Sequence, residues 1–378
     1  EDGPNILWEI NLGEGHAAPA VYNGKVYILD YIEEEKADAL RCFSLETGKE
    51  LWQRKHGVHI KRNHGMSRTI PAINDDFIVT VGPLGHVMCC NPNNGDFYWG
   101  IDLVRDYHTD IPFWYTGQCP LIDGDTAIIA PGGSSLLIAV DCKTGKIIWE
   151  TPNPDNWGMS HSSIMPMMLD GKKMYVYAAI GGICGISAEG KNKGSILWKL
   201  TDFNPNVVAP SPLILENGKI FLTAGYGAGS ILFKVEKVNN SYTTTVLQQF
   251  KPKDGIASEQ QTPITFDGHI FTILPKDAGS NRNQFVCCST DNCENILWTS
   301  GTSERFGLGP YVVADNKFFI LKDDGTLSIA KASTKGFTLL DKKKIMDGHD
   351  AWGPIAIVDG KLLMRDSKKM LCLDILHN

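Results

Sequence analysis

The 378-residue chain has no surplus of positive charge: 36 Lys and Arg face 43 Asp and Glu, a formal charge of −7. Without basic residues to displace counterions, a nucleic acid is not an expected partner. No apolar run approaches the ~18 residues of a membrane-spanning helix, so no transmembrane segment is expected. No secretory leader is read at the N-terminus, although a chain opening at Glu1 is compatible with a mature or trimmed form. There are ten cysteines, but no Cys-x-x-Cys pair with a matching histidine, as zinc would require, and no Cys-x-x-Cys-His haem signature. A bound metal is therefore not expected. What is abundant is glycine, at 38 residues, with 43% hydrophobic residues. That composition suits a turn-rich β protein with a large core.

The tryptophans carry a period. "GPNILW" ends at Trp8, "LETGKELW" at Trp52, "NPNNGDFYW" at Trp99, "CKTGKIIW" at Trp149, "NKGSILW" at Trp198 and "DNCENILW" at Trp298. The first five are 44, 47, 50 and 49 residues apart, and Trp198 to Trp298 spans two periods. In this reading Phe250 fills the intermediate slot and "STKGFTLL", near Leu339, the one after Trp298. Tandem units of ~40–50 residues signal a propeller or a solenoid.

Within each unit the pattern is β. "KVYILD", "FIVTVG", "KIFLTA" and "KFFILK" alternate with period two. Turn pairs such as Asn23-Gly24, Asn217-Gly218, Asp267-Gly268 and Asp359-Gly360 are hairpin signals. Before each pair comes a short strand led in by a proline: Pro19, Pro71, Pro120, Pro166, Pro212, Pro263, Pro310 or Pro354. The first strand position is where a missing N–H costs least. Eight such prolines imply eight four-stranded units. The last unit, "DGKLLMRDSKKMLCLDI", lacks an outer strand, whereas "GPNILWEI" is an outer strand with nothing before it. Joined, they complete a blade and remove the exposed edges. The expected fold is all-β: an eight-bladed β-propeller of four-stranded antiparallel blades, closed by an N-terminal outer strand. Residues 1–378 are expected to form one domain, with blade 8 split between about 354–378 and 4–12.

The unit "IAVDCKTGKIIW" (138–149) resembles the tryptophan-docking motif of pyrroloquinoline-quinone-type propellers, Ala-x-Asp-x-x-Thr-Gly-Lys-x-x-Trp. "RCFSLETGKELW" and, less closely, "MCCNPNNGDFYW" are similar. The resemblance extends over all 378 residues. It implies the propeller fold, shared by quinoprotein dehydrogenases and by non-catalytic scaffolds such as the propeller lipoprotein of the outer-membrane β-barrel assembly machine.

Ten residues before the tryptophans stand Cys42, Cys89, Ala139 and Cys288, with Cys372 in the split blade. In the related motif this is the alanine, a small side chain that leaves room for a neighbouring blade's tryptophan. A free cysteine is a small buried hydrophobe and suits the slot. Cys90 and Cys287 then point to the opposite face. Quinoprotein dehydrogenases carry a vicinal disulfide against the cofactor, but in a loop over the central site. The pairs here lie in a repeat strand, so packing is preferred to redox or metal chemistry.

Chemistry in a propeller sits on the segments leading into the innermost strands, which rim the central channel. These segments hold Trp114, Trp157 and Trp352, all outside the tryptophan period, together with His16, His64, His108, His161 and His349. Two and three residues before the prolines stand His16, Arg68, Gln118, Gln260, Gln261 and Trp352, on five segments of the ring. With His161, Arg305 and Asp350 nearby, they are expected to converge on a funnel of mixed charge with an aromatic wall. Arg68 or Arg305 can pair an anion bidentately, and a histidine can act as acid or base. Each residue also has a plain structural reading, as a cap on the core or a partner for backbone groups.

Two functions remain open. One is a non-catalytic scaffold binding a small polar ligand, a glycan or another protein through the channel-mouth loops, with no cofactor. The other is an alcohol or sugar dehydrogenase using pyrroloquinoline quinone (PQQ) with calcium, for which Asp110, Asp350, Glu259, Glu304 and Trp352 are candidate members, none within a motif that transfers residue by residue. A monomer is expected. An exported or periplasmic location is the first reading, and a cytoplasmic one stays open because ten cysteines suit an oxidising compartment poorly.

Overall fold

A computed structural model describes residues 5–376. Eight antiparallel four-stranded sheets follow one another along the sequence. Blades 1 to 7 occupy residues 20–57, 72–102, 121–152, 165–200, 213–250, 264–299 and 311–344. Blade 8 takes three strands from 356–374 and its outermost strand, Asn5–Asn11, from the N-terminal end. The fold is the expected eight-bladed propeller with its ring closed by the N-terminal strand. Residue 4 and residues 377–378, within the expected bounds of the split blade, lie outside the described residues.

The strands differ by depth. A middle strand such as Lys25–Ile32 is buried on both faces, because each sheet is sandwiched between two neighbours. An outer strand such as Glu50–Gly57 alternates half-buried and exposed residues, as one covered face requires. The innermost strands are short and half-buried. Asn23-Gly24 has φ of 46° and 70°, the left-handed pair of a type I′ hairpin turn, and Asp359-Gly360 matches it at 46° and 71°. Six of the lead-in prolines stand one residue before the innermost strand rather than on its first position. Pro166 is the second residue of Met165–Leu169, and Pro354 stands two residues before Ala356.

The apolar clusters straddle adjacent blades, and the tryptophans knit them. In every blade the outermost pair of strands is interrupted by a register shift, with a second one in blades 3 and 6; the shared shift is a β-bulge that turns the next side chain toward the following blade. Trp8, Trp52, Trp99, Trp149, Trp198 and Trp298 all follow this shift. Trp99 donates its indole N–H to Cys142 O at 2.7 Å, and Trp8 donates to Leu45 O at 2.9 Å, across the ring closure. The indole lies on the turn glycine of the next blade: Trp8 on Gly48, Trp52 on Gly95, Trp99 on Gly145, Trp149 on Gly194.

Two slots differ from expectation. Gln248, not Phe250, holds the position in blade 5, paired with Leu232. The facing turn in blade 6 is a tight one, Ser289 pairing with Asn292, with no turn glycine to receive an indole. Gln248 instead accepts from Cys293 N at 2.9 Å and donates to Asn292 at 3.0 Å. Asp341, not Leu339, holds the position in blade 7. Blade 8 joins its outer two strands from opposite ends of the sequence, so no turn is there for a tryptophan to cover.

The cysteines pack. All ten are free, and all but the half-buried Cys119 are buried. The small slot opposes the tryptophan of its own blade: Cys42 pairs with Trp52, Cys89 with Trp99, Ala139 with Trp149 and Cys372 with Trp8. The docking surface in the neighbouring blade is the turn glycine. In blade 6 the slot is Cys287 rather than Cys288, because a second register shift at Cys288/Ser289 lengthens the return to Trp298. Cys288 therefore faces blade 5, beside Phe221, and Cys287 faces blade 7, beside Phe318.

A fully buried guanidinium fastens the closure. Arg365, in Lys361–Arg365 of blade 8, is 0% exposed. It donates to the backbone carbonyls of Gly13, Ala17, Asp366 and Ser367, tying blade 8 to the lead-in of blade 1.

Candidate functional site

Antiparallel blades send two kinds of connection to the channel mouth: the lead-in segments and the loops between second and third strands. Together they enclose a cavity of about 600 Å³ on the axis. Its lining follows one register. Counting four residues back from each innermost strand gives His16, Arg68, Gly117, His161, Ala209, Gln260, Gly307 and Trp352, one per blade. All but Gly307 line the cavity, and its neighbour Leu308 takes that place. Two residues nearer the strand, Ile70, Cys119, Ser163, Ser211, Thr262 and Pro354 also line it. The lead-ins are thus extended, with alternate side chains toward the axis.

This register sorts the sequence-predicted residues. His16, Arg68, His161, Gln260, Gln261 and Trp352 meet at the cavity. Gln118 does not, being one position out of phase with its ring neighbours. It is 1% exposed, with its amide bonded to both backbone groups of Ala130 and to the Tyr177 hydroxyl. Arg305 is held outside the funnel by the carbonyls of Arg282 and Ser280. Asp350 lines an adjoining hollow of about 300 Å³, with Glu14, Arg62 and His349, which shares His16 and His64 with the funnel. Of the other candidates, Glu304 pairs with Lys342 away from the funnel lining.

Hydrogen bonds fix the wall. Trp352 is half-buried, and its indole donates to Asp323 at 2.9 Å while Gln261 donates to its carbonyl at 2.9 Å. Gln260 donates to Leu308 O at 3.1 Å. His16 lies against Trp352 with ring centres 5.0 Å apart, and its Nε2 meets His64 O at 3.0 Å. Burial, then the charges of Arg68 and Arg365, push His16 down to about 3. Burial and Arg68 likewise push His161 down to about 4. Both rings are neutral at physiological pH, so neither is a ready general acid there.

Arg68 is the central charge. Its Nη2 donates to the carbonyls of Asn63 (3.1 Å), His64 (2.8 Å) and Gly65 (3.5 Å), while Nε is buried without a partner. No carboxylate pairs with it among the described residues. Burial lowers its pKa to about 10. Glu259 is the buried carboxylate of the lining, 7% exposed, with Lys276 3.8 Å from Oε1. Burial raises its pKa. In the same lining Trp114 stacks on Tyr226, ring centres 5.5 Å apart and planes 10° apart, with the Lys276 ammonium 5.6 Å from the Tyr226 ring centre.

Tyr226 and Lys276 are lining residues that the sequence reading missed. Both sit on loops between second and third strands, which open on the same face as the lead-ins. The signal was "AGYGAG" (224–229), an aromatic residue set among glycines between two strands.

With the geometry established, comparison with known proteins places the protein. The sequence model described as outer membrane protein assembly factor BamB matches residues 2–103 and 35–273. The protein belongs to this family of PQQ-like propellers. No curated protein matches it. Among solved structures, BamB from Moraxella catarrhalis superimposes over 100% of this protein and 99% of its own length, with a TM-score of 0.63 and 13% identity. The computationally designed Ika8 protein gives 0.65 and 12%, covering 99% of this protein and all of its own length. A europium-containing methanol dehydrogenase gives 0.51 and 11%, covering 95% of this protein and 84% of its own length. At these identities the likeness to BamB and the others is one of fold.

Proposed function

We propose that the protein is a non-catalytic binding scaffold, as the assembly-factor description of its family suggests, and that it engages its ligand at the channel mouth. The observation that carries this reading is the cavity itself, lined by Arg68 with no carboxylate partner among the described residues and by the aromatic rings of Trp114, Tyr226 and Trp352. That is the composition of a ligand pocket: apolar walls with a few directional polar groups. The ligand class is a small polar molecule, a glycan or a segment of another protein. An exported location goes with the family description, and a monomer is part of this reading.

The dehydrogenase alternative fits this lining poorly. Calcium takes six to eight oxygen ligands, usually several carboxylates. Glu259 is the carboxylate of the lining and has Lys276 beside it, while the cationic Arg68 stands in the same funnel. Asp350 belongs to the neighbouring hollow and Glu304 to Lys342. No catalytic step is derived through a quinone.

The test is to display random peptides and glycans on arrays and probe them with the native protein and with Arg68→Ala/Trp352→Ala. Neither residue belongs to the repeat core, so the variant should melt near the native temperature while losing the native binding pattern. A pattern unchanged in the variant overturns the site. Saturable uptake of PQQ with calcium, seen in near-ultraviolet absorption, would favour the alternative.

A further inference from the structure

Resting on the funnel as the binding site, we propose that its ligand presents a carboxylate to Arg68, within the cavity that the Trp114–Tyr226 pair also lines. The first ground is a charge without a counterpart. A guanidinium removed from water is normally matched by a carboxylate or by a full set of acceptors. Arg365 illustrates the second solution, with four backbone carbonyls around it. Arg68 has neither. Among the described residues only its Nη2 finds acceptors, which leaves Nε and Nη1 free.

The second ground is the surrounding space. The ring position beside Arg68 is Gly117, against which His161 packs, and another is Ala209, so neither position sends a long side chain of its own into the cavity. The neutral histidines supply no anion, and the one buried carboxylate of the lining already has an ammonium beside it. Cations therefore outnumber anions in the funnel by one. A ligand carboxylate balances that count and accepts from the unbonded Nη1, a charge-assisted hydrogen bond, while Nε stays buried on the other side of the guanidinium. The stacked Trp114 and Tyr226 rings belong to the same lining. Tyr226 holds its place there at φ 56°, a conformation that a non-glycine residue adopts at a cost. The carboxylate should therefore adjoin an aromatic or otherwise flat group. The terminal carboxylate of a peptide and an Asp or Glu side chain both meet that description.

Three acetylated Ala-Ala-Phe probes separate the sources: the free acid, the C-terminal amide, and an amide carrying Asp before Phe. Each is titrated by calorimetry and by tryptophan emission, to which Trp114 and Trp352 of the lining contribute. At least one carboxylate probe should bind about tenfold or more tightly than the plain amide, the difference made by a hydrogen-bonded charge. Arg68→Gln should erase that preference with an unchanged melting temperature, and Arg68→Lys should retain part of it. The tighter carboxylate probe identifies the source. Equal binding of acid and amide, a preference that survives Arg68→Gln, or no binding of either carboxylate probe would overturn the proposal. The array comparison judges the funnel separately. Funnel-dependent binding there, alongside failure here, discards the ligand class and keeps the site.

Discussion

Gly145 offers a direct measure of what the tryptophans contribute. It turns at φ 72°, and a Cβ built there would lie 2.7 Å from Cγ of Trp99, the indole that blade 2 lays on blade 3. Gly124, at the inner hairpin turn of the same blade, has φ 59° and no atom within 4 Å of such a Cβ. Alanine at either position pays the left-handed backbone penalty of roughly 1–2 kcal/mol. Only Gly145→Ala must also displace Trp99, which is 8% exposed and bonded to Cys142 O. Forcing extra atoms into a packed contact costs about 1–3 kcal/mol. Gly145→Ala should therefore destabilise by roughly 2–5 kcal/mol and Gly124→Ala by about 1–2. Urea titrations followed by tryptophan emission would show the difference in midpoint, together with a red-shifted native spectrum for Gly145→Ala alone. Equal midpoints for the two variants would refute the docking argument and leave only the turn geometry.

Deleting residues 1–12 removes Trp8 and the strand that pairs with Lys369–Asp374; the truncated protein should melt well below the native one and associate through the open edge, as scattering would show. Thiol titration should find about one reactive cysteine in the native protein, the half-buried Cys119, and all ten after denaturation. Burial, then the charge of Asp30, raises the Asp38 carboxyl to about 7. The native state thus keeps a proton that the unfolded state releases near pH 4, and on this group's account stability falls as pH rises from about 4 to 7. Asp38→Asn should accordingly gain more stability at pH 8 than at pH 4.5, and a gain equal at both values would contradict the burial argument.

The blades were legible because their signals are local and repeated. A turn pair such as Asn23-Gly24 states its hairpin within two residues, and the tryptophan period states the architecture. The misplaced slots were not legible, because what decides them lies in the next blade. Gln248 suits a facing turn without glycine, and Asp341 faces a blade with no turn at that edge. The site was read one phase out at Gln118, since the lead-ins register on the innermost strand and not on the proline. Tyr226 and Lys276 were missed because strand order, rather than any motif, brings the inner loops to the channel mouth.

The account's central claim is that the ring of lead-ins and inner loops is the working surface. Hydrogen–deuterium exchange with and without an array-selected ligand tests it directly. Protection is expected in residues 61–68, 112–117, 224–229 and 257–262, which surround Arg68, Trp114, Tyr226 and Glu259. Protection confined to the opposite face, at the turns around Gly24, Gly218, Gly268 and Gly360, would contradict it.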